Sequence, residues 1–270
     1  MLKADLLEEF EKLSAKRKRL LDAIEENVAE GLLTQLTNIY PDEAHFIYEL
    51  LQNAEDAEAT EVNFYLHSKG LRFRHNGTVQ FAIEHIEAIT NYDRTTKKLS
   101  DNKIGKFGVG FKSVFSYTRK PIINSAGLTF SISRAILPKR EMLTSEEEKI
   151  FKEEATTFIF NFDEPTKLPE RAFKEVKQAL EELDEKSLMF LSNIKKITIT
   201  IKKEEPLQRT ILSEYVEPNI CKFSIIAGEQ IQEKFYYLLV GKMPKVETNL
   251  LDEEAKSKLS KLRIAISFKL

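Results

Sequence analysis

Glycine is scarce in this chain and concentrated at one place, and this distribution restricts the fold more than any other feature. Only 9 of 270 residues are glycine, less than half the usual share of about 7%. Three of them, Gly105, Gly108 and Gly110, fall within six residues of the segment IGKFGVGFKS. Backbone amides that no Cβ covers, leading into a helix, form a site for phosphate or another anion. The alternative interpretation is a tight turn that allows close helix packing.

The spacing of these glycines excludes two common phosphate-binding loops. A P-loop has Lys and Ser/Thr directly after its last glycine, whereas here Phe111 separates Gly110 from Lys112. The dinucleotide-binding order G-x-G-x-x-G would need a glycine at position 113, which is serine. The cluster therefore indicates an anion site of another kind.

Composition and charge exclude several classes of protein. The hydrophobic share of 42% is enough for a sizeable core, and a net charge of −2 does not indicate nucleic acid as a partner. The single cysteine, Cys221, can form neither an internal disulfide nor a paired-cysteine metal site. No apolar run approaches the length of a membrane span, and the acidic N-terminus does not resemble a signal peptide. We expect a cytoplasmic protein that does not enter the membrane.

The order of predicted elements divides the chain into three parts. Residues 1–30 form a helical arm, which is either a solvated helix with one packed face or a partner-binding arm. Residues 31–205 form the main domain, and 206–270 form a β-rich extension that we expect to begin a following domain of a longer chain. The predicted elements are helices at 3–30, 41–57, 82–90, after 110 and at 170–185, and strands at 62–66, 71–75, 121–136, 156–162, 194–201, 220–226, 235–240 and 262–270.

One predicted helix carries a polar stripe. At 3.6 residues per turn, Glu49, Asn53 and Asp56 of ELLQNAEDA lie within about 60° of one another. Such a stripe can take a proton from water, coordinate a hard cation through oxygen and hydrogen-bond a ligand. The alternative is an ordinary solvated face. We place Ala57 on the opposite, core-facing side of this helix, together with Phe46, Ile47, Leu50, Leu51 and Ala54.

The stripe and the glycine cluster, about 55 residues apart with a polar loop between them, together resemble the GHKL ATPase superfamily. This group includes gyrase B, the ninety-kilodalton heat-shock chaperone, sensor histidine kinases and MutL. ELLQNAEDA is similar to its N-box and IGKFGVGFKS to its glycine-rich box. The sequences of both segments most resemble the sacsin and Nov-type branch. The resemblance implies an α+β two-layer sandwich of the Bergerat type, with a mixed, mostly antiparallel sheet covered on one face by helices.

The resemblance also implies the ligands, ATP and Mg²⁺, and a role for each matching residue. Glu49 matches the carboxylate that activates water, Asn53 the Mg²⁺ ligand, and Asp56 the ribose and adenine side. The loop 91–103 matches a mobile lid that closes over the nucleotide. The remaining implied nucleotide-binding residues are Ala57, His75, Asn76, Gly77, Lys98, Gly105, Lys106, Phe107, Gly108, Val109, Gly110, Phe111, Lys112 and Thr156, of which Lys112 either neutralises phosphate or faces solvent.

One position departs from the family pattern. Where the family has Asp-x-Gly, its aspartate accepting a hydrogen bond from the adenine amino group, this chain has His75-Asn76-Gly77. Either a neutral His75 nitrogen or the Asn76 carbonyl could accept the same bond. The alternative is that His75 is only a polar residue at a strand end.

Two functions follow from this interpretation. The first is an Mg²⁺-dependent module that binds ATP and ADP and hydrolyses ATP slowly, driving conformational change in a larger chaperone-like or regulatory protein. The second is a non-catalytic, nucleotide-gated interaction module. Because related ATPases often complete their sites by dimerisation or from a following domain, a homodimer and the following domains are the expected partners.

Overall fold

The computed structural model describes residues 3–27, 44–91, 111–142, 155–202, 206–242 and 263–269. Five α-helices lie in these ranges: α1 (Lys3–Asn27), α2 (Phe46–Asp56), α3 (Ile83–Ile89), α4 (Pro169–Glu182) and α5 (Glu185–Met189). A short 3-10 helix spans Phe111–Ser116. None of the described helices is both long and apolar enough to cross a membrane.

The described strands form one mixed sheet. They are β1 (Glu61–His67), β2 (Gly70–His75), β3 (Ile122–Ser125), β4 (Leu128–Ser133), β5 (Leu137–Arg140), β6 (Thr156–Asn161), β7 (Lys196–Ile201), β8 (Leu207–Glu217), β9 (Ile220–Ala227), β10 (Gln230–Lys242) and β11 (Arg263–Lys269). Their order is β11-β10-β9-β8-β7-β1-β2-β6-β3-β4-β5. Among the described pairs, β1 and β7 run parallel and the others antiparallel. The prediction of an α+β fold with a mixed, mostly antiparallel sheet is confirmed.

A row of aromatic side chains crosses the centre of the sheet on one face. Phe64 of β1 lies opposite Phe73 of β2, which lies opposite Phe158 of β6. Their ring centroids are 4.7 Å and 5.9 Å apart, and all three are buried. Aromatic cross-strand pairs of this kind contribute both apolar burial and a fixed register.

The helices cover this same aromatic face. Phe10 of α1 contacts Phe130, Phe46 of α2 contacts Phe160, and Phe111 of the 3-10 helix contacts Phe158. On β1 the residues of the other face alternate with the buried ones, and Asn63 there is exposed. The core therefore lies between the helices and one face of the sheet, which places α2 directly above the strands that end near His75.

The predicted helices and strands differ from the observed ones at several places, including 121–136, where two strands, β3 and β4, replace one. The predicted helix at 170–185 is interrupted, because Leu183 adopts an extended conformation and the Asp184 side chain caps a new helix, α5, by accepting from the Lys186 amide. The helix predicted after residue 110 is a 3-10 helix in the described part of the chain. Strand β8 was not predicted, since its charged and polar positions interrupt the alternation.

The β-rich extension continues the main sheet. Strand β8 pairs with β7 over six residues, from Lys196 opposite Leu212 to Ile201 opposite Leu207. Glu185 of α5 accepts hydrogen bonds from Lys234 at 2.6 Å and Tyr236 at 3.0 Å, both on β10. The division at 206 into two domains stays a prediction.

Candidate functional site

Helix α2 presents its polar stripe as predicted. The inner positions Phe46, Ile47, Leu50, Leu51 and Ala54 are buried. Glu49 and Asn53 are partly exposed and Asp56 is exposed. Ala57 differs from the prediction: it caps the helix end instead of lying in its core face, and it is partly exposed. The helix therefore ends at Asp56, the last residue of the stripe.

The stripe has contacts that decide what each side chain can do. Glu49 Oε1 lies 3.7 Å from Nε2 of His45, a neighbour one turn earlier. Asp56 Oδ1 accepts a hydrogen bond from Gln52 Nε2 at 3.2 Å. Within the described residues the Asn53 side-chain amide has no hydrogen-bond partner. Its oxygen can therefore coordinate a cation without breaking an existing bond.

Glu55, on the same helix, holds the end of α2 in place. Its carboxylate accepts hydrogen bonds from the backbone amides of Ser192, Asn193 and Ile194 at 2.6 to 3.0 Å. These amides precede β7, about 140 residues further along the chain. A carboxylate that accepts several backbone N–H bonds is strongly held. Sequence reasoning missed this role because the partners are remote in sequence and the contact leaves no local pattern.

A tight turn after β2 packs directly against the end of α2. A Cβ atom added to Gly77 would lie 2.5 Å from the Ala57 carbonyl oxygen and 2.9 Å from the Ala57 Cβ. The Val79 amide donates to that same carbonyl at 3.2 Å. Only glycine fits such an approach, so the stripe of α2 and the end of β2 are brought together through Ala57 and Gly77.

Asn76 is a structural residue of this turn. Its side-chain oxygen accepts from the amides of Thr60 and Glu61 at 3.0 and 2.9 Å, and its Nδ2 donates to the Thr60 hydroxyl at 2.9 Å. The predicted use of the Asn76 carbonyl as an acceptor for an adenine amino group is therefore not available. Both of its ordinary acceptor positions already receive backbone N–H bonds.

His75 is buried at the end of β2, 3% exposed, among Phe73 and Phe158. Its Nδ1 accepts a hydrogen bond from the Gly77 amide at 3.2 Å. Burial lowers the pKa of this imidazole from 6.5 to about 4, so the ring is neutral at pH 7. In a neutral ring whose Nδ1 accepts, Nε2 carries the proton and donates. His75 therefore does not offer the predicted acceptor either.

Thr156 lies beside His75, since the two residues are directly opposite in the β2–β6 pair. It is buried, together with Phe158, Phe160 and Phe162. Its hydroxyl lies 2.8 Å from the Ser125 hydroxyl, which also accepts from the Phe81 amide at 3.2 Å. The sequence interpretation missed Ser125, because it lies on β3, two strands from β2.

Lys112 does not face solvent. It is 8% exposed, and its ammonium donates to the main-chain carbonyl of Asn91. Burial and, to a smaller degree, the charge of Arg17 lower the pKa of this lysine to about 8. Phe111, next to it, packs on Phe158 with ring centroids 6.1 Å apart. Whether Lys112 also neutralises phosphate stays a prediction.

Several residues of the predicted site lie outside the described part of the chain. These are the lid at 92–103, including Lys98, and the glycine-rich segment Gly105, Lys106, Phe107, Gly108, Val109 and Gly110. The described segments Phe111–Ser116 and the end of α3 flank this stretch on either side.

A separate cleft lies between β1, β7 and β8. Its lining includes Glu61, Lys195 and Glu214. Glu61 is paired with Lys196 at 3.3 Å across the cleft, so opposite charges there are matched within the protein. The lining of this cleft does not include any residue of the α2 stripe.

His75 predicts a pH dependence of folding stability. Because the folded-state pKa is lowered from 6.5 to about 4, the unfolded chain binds a proton between these values and the folded chain does not. The free energy of unfolding is therefore not reduced by His75 above pH 6.5. As the pH falls from 6.5 to 4, protonation of the unfolded chain lowers it by about 3 kcal/mol in all. Urea unfolding of the wild type and of His75→Gln at pH 7 and pH 4.5 should show a smaller loss in the variant. Equal losses in both would contradict the burial of a neutral imidazole.

Comparisons with known proteins give partial similarities. No protein-family model matches the chain. The chain is 39% identical over 97 residues to Protein NO VEIN of Arabidopsis thaliana, covering 34% of this chain and 4% of that protein. It is 33% identical over 117 residues to Sacsin of Homo sapiens, covering 36% of this chain and 3% of that protein. The chain thus spans only a small part of the length of these relatives.

Among solved structures, the chain resembles the N-terminal domain of a DNA repair protein, with a TM-score of 0.45 and 13% identity. The match covers 77% of this chain and 69% of that one. A likeness of this degree does not bear on function. The predicted resemblance to the sacsin and Nov-type branch is confirmed as a similarity over about a third of the chain, and membership of the wider GHKL superfamily stays a prediction.

Proposed function

We propose that this chain is an Mg²⁺-dependent nucleotide-binding module of the Bergerat type that binds ATP and hydrolyses it slowly. One observation carries the proposal. The polar stripe of α2, with Glu49 and Asn53 partly exposed, ends against the turn that carries His75 and Gly77, at a Gly77–Ala57 contact that only glycine permits. The N-box resemblance lies in α2 and the Asp-x-Gly resemblance in the turn after β2. These two segments are about 20 residues apart in the chain.

The residues of the stripe fit a magnesium ion that is shared with phosphate. Mg²⁺ prefers oxygen ligands and commonly binds through one or two protein groups plus substrate phosphates. The Asn53 amide oxygen, without a partner in the described residues, would hold the metal. The described residues contain no cluster of three or more acidic, histidine or cysteine side chains that could hold a metal by themselves. A site in which the nucleotide supplies most of the ligands is consistent with this donor set.

Glu49 is the proposed general base for the hydrolysis step. A carboxylate one turn before Asn53, partly exposed on the same stripe, can orient a water molecule and accept its proton as the water attacks the γ-phosphate. The metal, when bound, neutralises the charge of the β- and γ-phosphates. Most of the remaining catalysis would come from positioning. The hydrogen bonds from the Ser192 and Ile194 amides to the Glu55 carboxylate, here called the Glu55 clamp, support it by fixing α2 relative to β7.

The base would lie at the opposite end of the stripe. Ala57 is eight residues after Glu49, or about 12 Å along the helix axis. Gly77 packs on Ala57 there, and His75, two residues before Gly77, lies opposite Thr156, whose hydroxyl contacts that of Ser125. The nucleotide would therefore run along α2, with the base near the end of β2 and the phosphates near Glu49 and the glycine-rich segment.

A second function is a nucleotide-gated interaction module without turnover. The observation that favours it is the His45–Glu49 contact, because the His45 imidazole, 3.7 Å from the carboxylate, occupies space beside it that the attacking water would need. In either case we infer that the module acts within a longer cytoplasmic protein. Following domains or a second copy of the chain would complete the site.

Asn53→Ala tests the metal part of the proposal. We expect the affinity for Mg²⁺-ATP to fall about 10- to 100-fold, since a charge-assisted contact of this kind contributes roughly 1.5–3 kcal/mol. ATP binding measured with EDTA should change little. Isothermal titration calorimetry with and without Mg²⁺ measures both.

Asn63→Ala is the matched control, since it removes the same amide from an exposed position on the other face of the sheet. Its affinity should equal that of the wild type under both conditions. An Asn53→Ala variant that keeps the full Mg²⁺ dependence would remove Asn53 as the metal ligand.

A further inference from the structure

The hydrogen-bond pattern at the end of β2 fixes which groups there can donate and which can accept. An amide N–H can only donate, so the Gly77–His75 bond uses the lone pair of Nδ1. The proton of the neutral ring therefore lies on Nε2, which has no hydrogen-bond partner in the described part of the chain. An N–H that no protein group accepts pairs with a ligand atom that accepts, and is opposed by one that donates.

The neighbouring hydroxyls supply a second donor. Thr156 and Ser125 carry two hydroxyl hydrogens, and one of these is used in the 2.8 Å contact between them. Ser125 Oγ already accepts from the Phe81 amide, whichever hydroxyl donates to the other. One hydroxyl hydrogen of the pair therefore remains for an acceptor. This donor lies on β6, the strand opposite His75, when Ser125 donates within the pair, and on β3, the next strand, when Thr156 donates.

The side-chain acceptors of the His75-Asn76-Gly77 turn already receive hydrogen bonds. Asn76 Oδ1 receives two backbone N–H bonds and His75 Nδ1 receives one. An exocyclic amino group, which only donates, has no side-chain carboxylate or unpaired side-chain amide oxygen at His75-Asn76-Gly77 with which to pair. This turn therefore offers a ligand the His75 Nε2–H donor and no vacant side-chain acceptor.

We propose that this site takes a purine nucleotide with an oxygen at position 6, of the hypoxanthine or guanine type, in preference to an adenine nucleotide. The proposal rests on the proposed function, because it assumes that the base lies at the end of β2. The 6-oxo purines present two adjacent acceptors, O6 and N7, whereas adenine presents an amino donor at position 6. His75 Nε2–H matches the first pattern and opposes the second.

The size of the preference follows from the free-energy cost of placing the adenine amino group against the His75 N–H, since both groups donate. A site built to hydrogen-bond one group discriminates against an analogue that leaves its polar groups unpaired. We expect ITP to bind at least about tenfold more tightly than ATP. ATP should still bind, because the metal and phosphate contacts are the same for both nucleotides.

The test compares Mg²⁺-ITP and Mg²⁺-ATP on the wild-type chain by calorimetry. ITP is the cleanest probe, since it differs from ATP only at position 6 and the adjoining ring nitrogen, and Mg²⁺-GTP shows whether a 2-amino group is also accepted. Tighter binding of ITP supports the proposal. Equal affinities, or tighter binding of ATP, would overturn it and leave the proposed nucleotide-binding function standing. Absence of binding by all three nucleotides would overturn both.

His75→Gln identifies the responsible residue. A glutamine amide can rotate to donate or accept, so the ratio of ITP to ATP affinity should fall to about one. His67→Gln is the matched control, a partly exposed histidine at the β1–β2 turn, and should keep the wild-type ratio. Nitrogen-15 NMR of the wild-type imidazole should show Nε2 protonated and Nδ1 unprotonated at pH 7. The opposite tautomer would contradict the proposal without any variant.

Discussion

Replacing Glu49 with alanine is expected to lower nucleotide turnover by about 10²- to 10⁴-fold, the usual contribution of a general base. Binding should change little, because the carboxylate would contact the attacking water and not the nucleotide. Glu49 is partly exposed on α2 and its described ion-pair partner is His45, so its removal should not unfold the helix. Phosphate release under saturating nucleotide, with calorimetric affinities for the same preparations, separates the two effects.

The matched control for this experiment is Glu58→Ala. Glu58 is an exposed carboxylate just beyond the same helix, bonded to the Thr78 hydroxyl at 2.9 Å. Its turnover should stay within about twofold of the wild type, since it lies outside the stripe. Because the family resemblance implies that related sites are completed by a partner, the longest available protein should be compared with the same variant. A ratio of wild type to Glu49→Ala near one, with tight binding in both, would identify a nucleotide-gated scaffold.

Gly77→Ala should have the largest effect on folding stability. The new Cβ would lie 2.5 Å from a backbone oxygen at the end of α2, and this atom cannot move without displacing the helix end. Such overpacking costs about 1–3 kcal/mol, and loss of the hydrogen bonds from Gly77 to His75 and from Val79 to Ala57 adds about 1 kcal/mol. We expect a destabilisation of about 3 kcal/mol and a melting temperature lower by about 10 °C. Nucleotide affinity should fall as well, since the base end of the site moves.

Gly228→Ala provides the comparison. Gly228 has φ +60 and no heavy atom within 4 Å of an added Cβ, so alanine there costs only the backbone term, about 1–2 kcal/mol. It lies in the β9–β10 turn, away from the α2 stripe, and nucleotide affinity should be unchanged. Gly77→Ala no more destabilised than Gly228→Ala would show that the turn is not held against Ala57.

The elements that sequence predicted well are those whose burial repeats with a simple period. The inner face of α2 follows a 3.6-residue period, and β1 and β2 alternate between buried and outward residues. Val62, Phe64 and Leu66 therefore identify both the strand and its inward face. Strand β8 was not predicted because its inner positions are only partly apolar: Arg209 and Ser213 flank Ile211 on that face.

The site was predictable in its residue types but not in its hydrogen bonds. The stripe of Glu49, Asn53 and Asp56 follows from helix geometry alone. Occupation of the His75 and Asn76 acceptors depends on how the turn folds back on Thr60 and Gly77, and no local pattern records it. The Glu55 clamp and the Ser125–Thr156 contact join residues 137 and 31 positions apart, so each depends on the sheet order.

The most direct test of the central claim, Mg²⁺-dependent nucleotide binding, is the melting temperature of the wild-type chain with and without nucleotide. A ligand at 100 times its dissociation constant adds about 2.7 kcal/mol of stability, or roughly 5–10 °C for a domain of this size. We expect this increase with Mg²⁺-ATP or Mg²⁺-ITP, and a smaller one when EDTA removes the metal. An unchanged melting temperature at millimolar concentrations of both nucleotides with Mg²⁺ would contradict the claim.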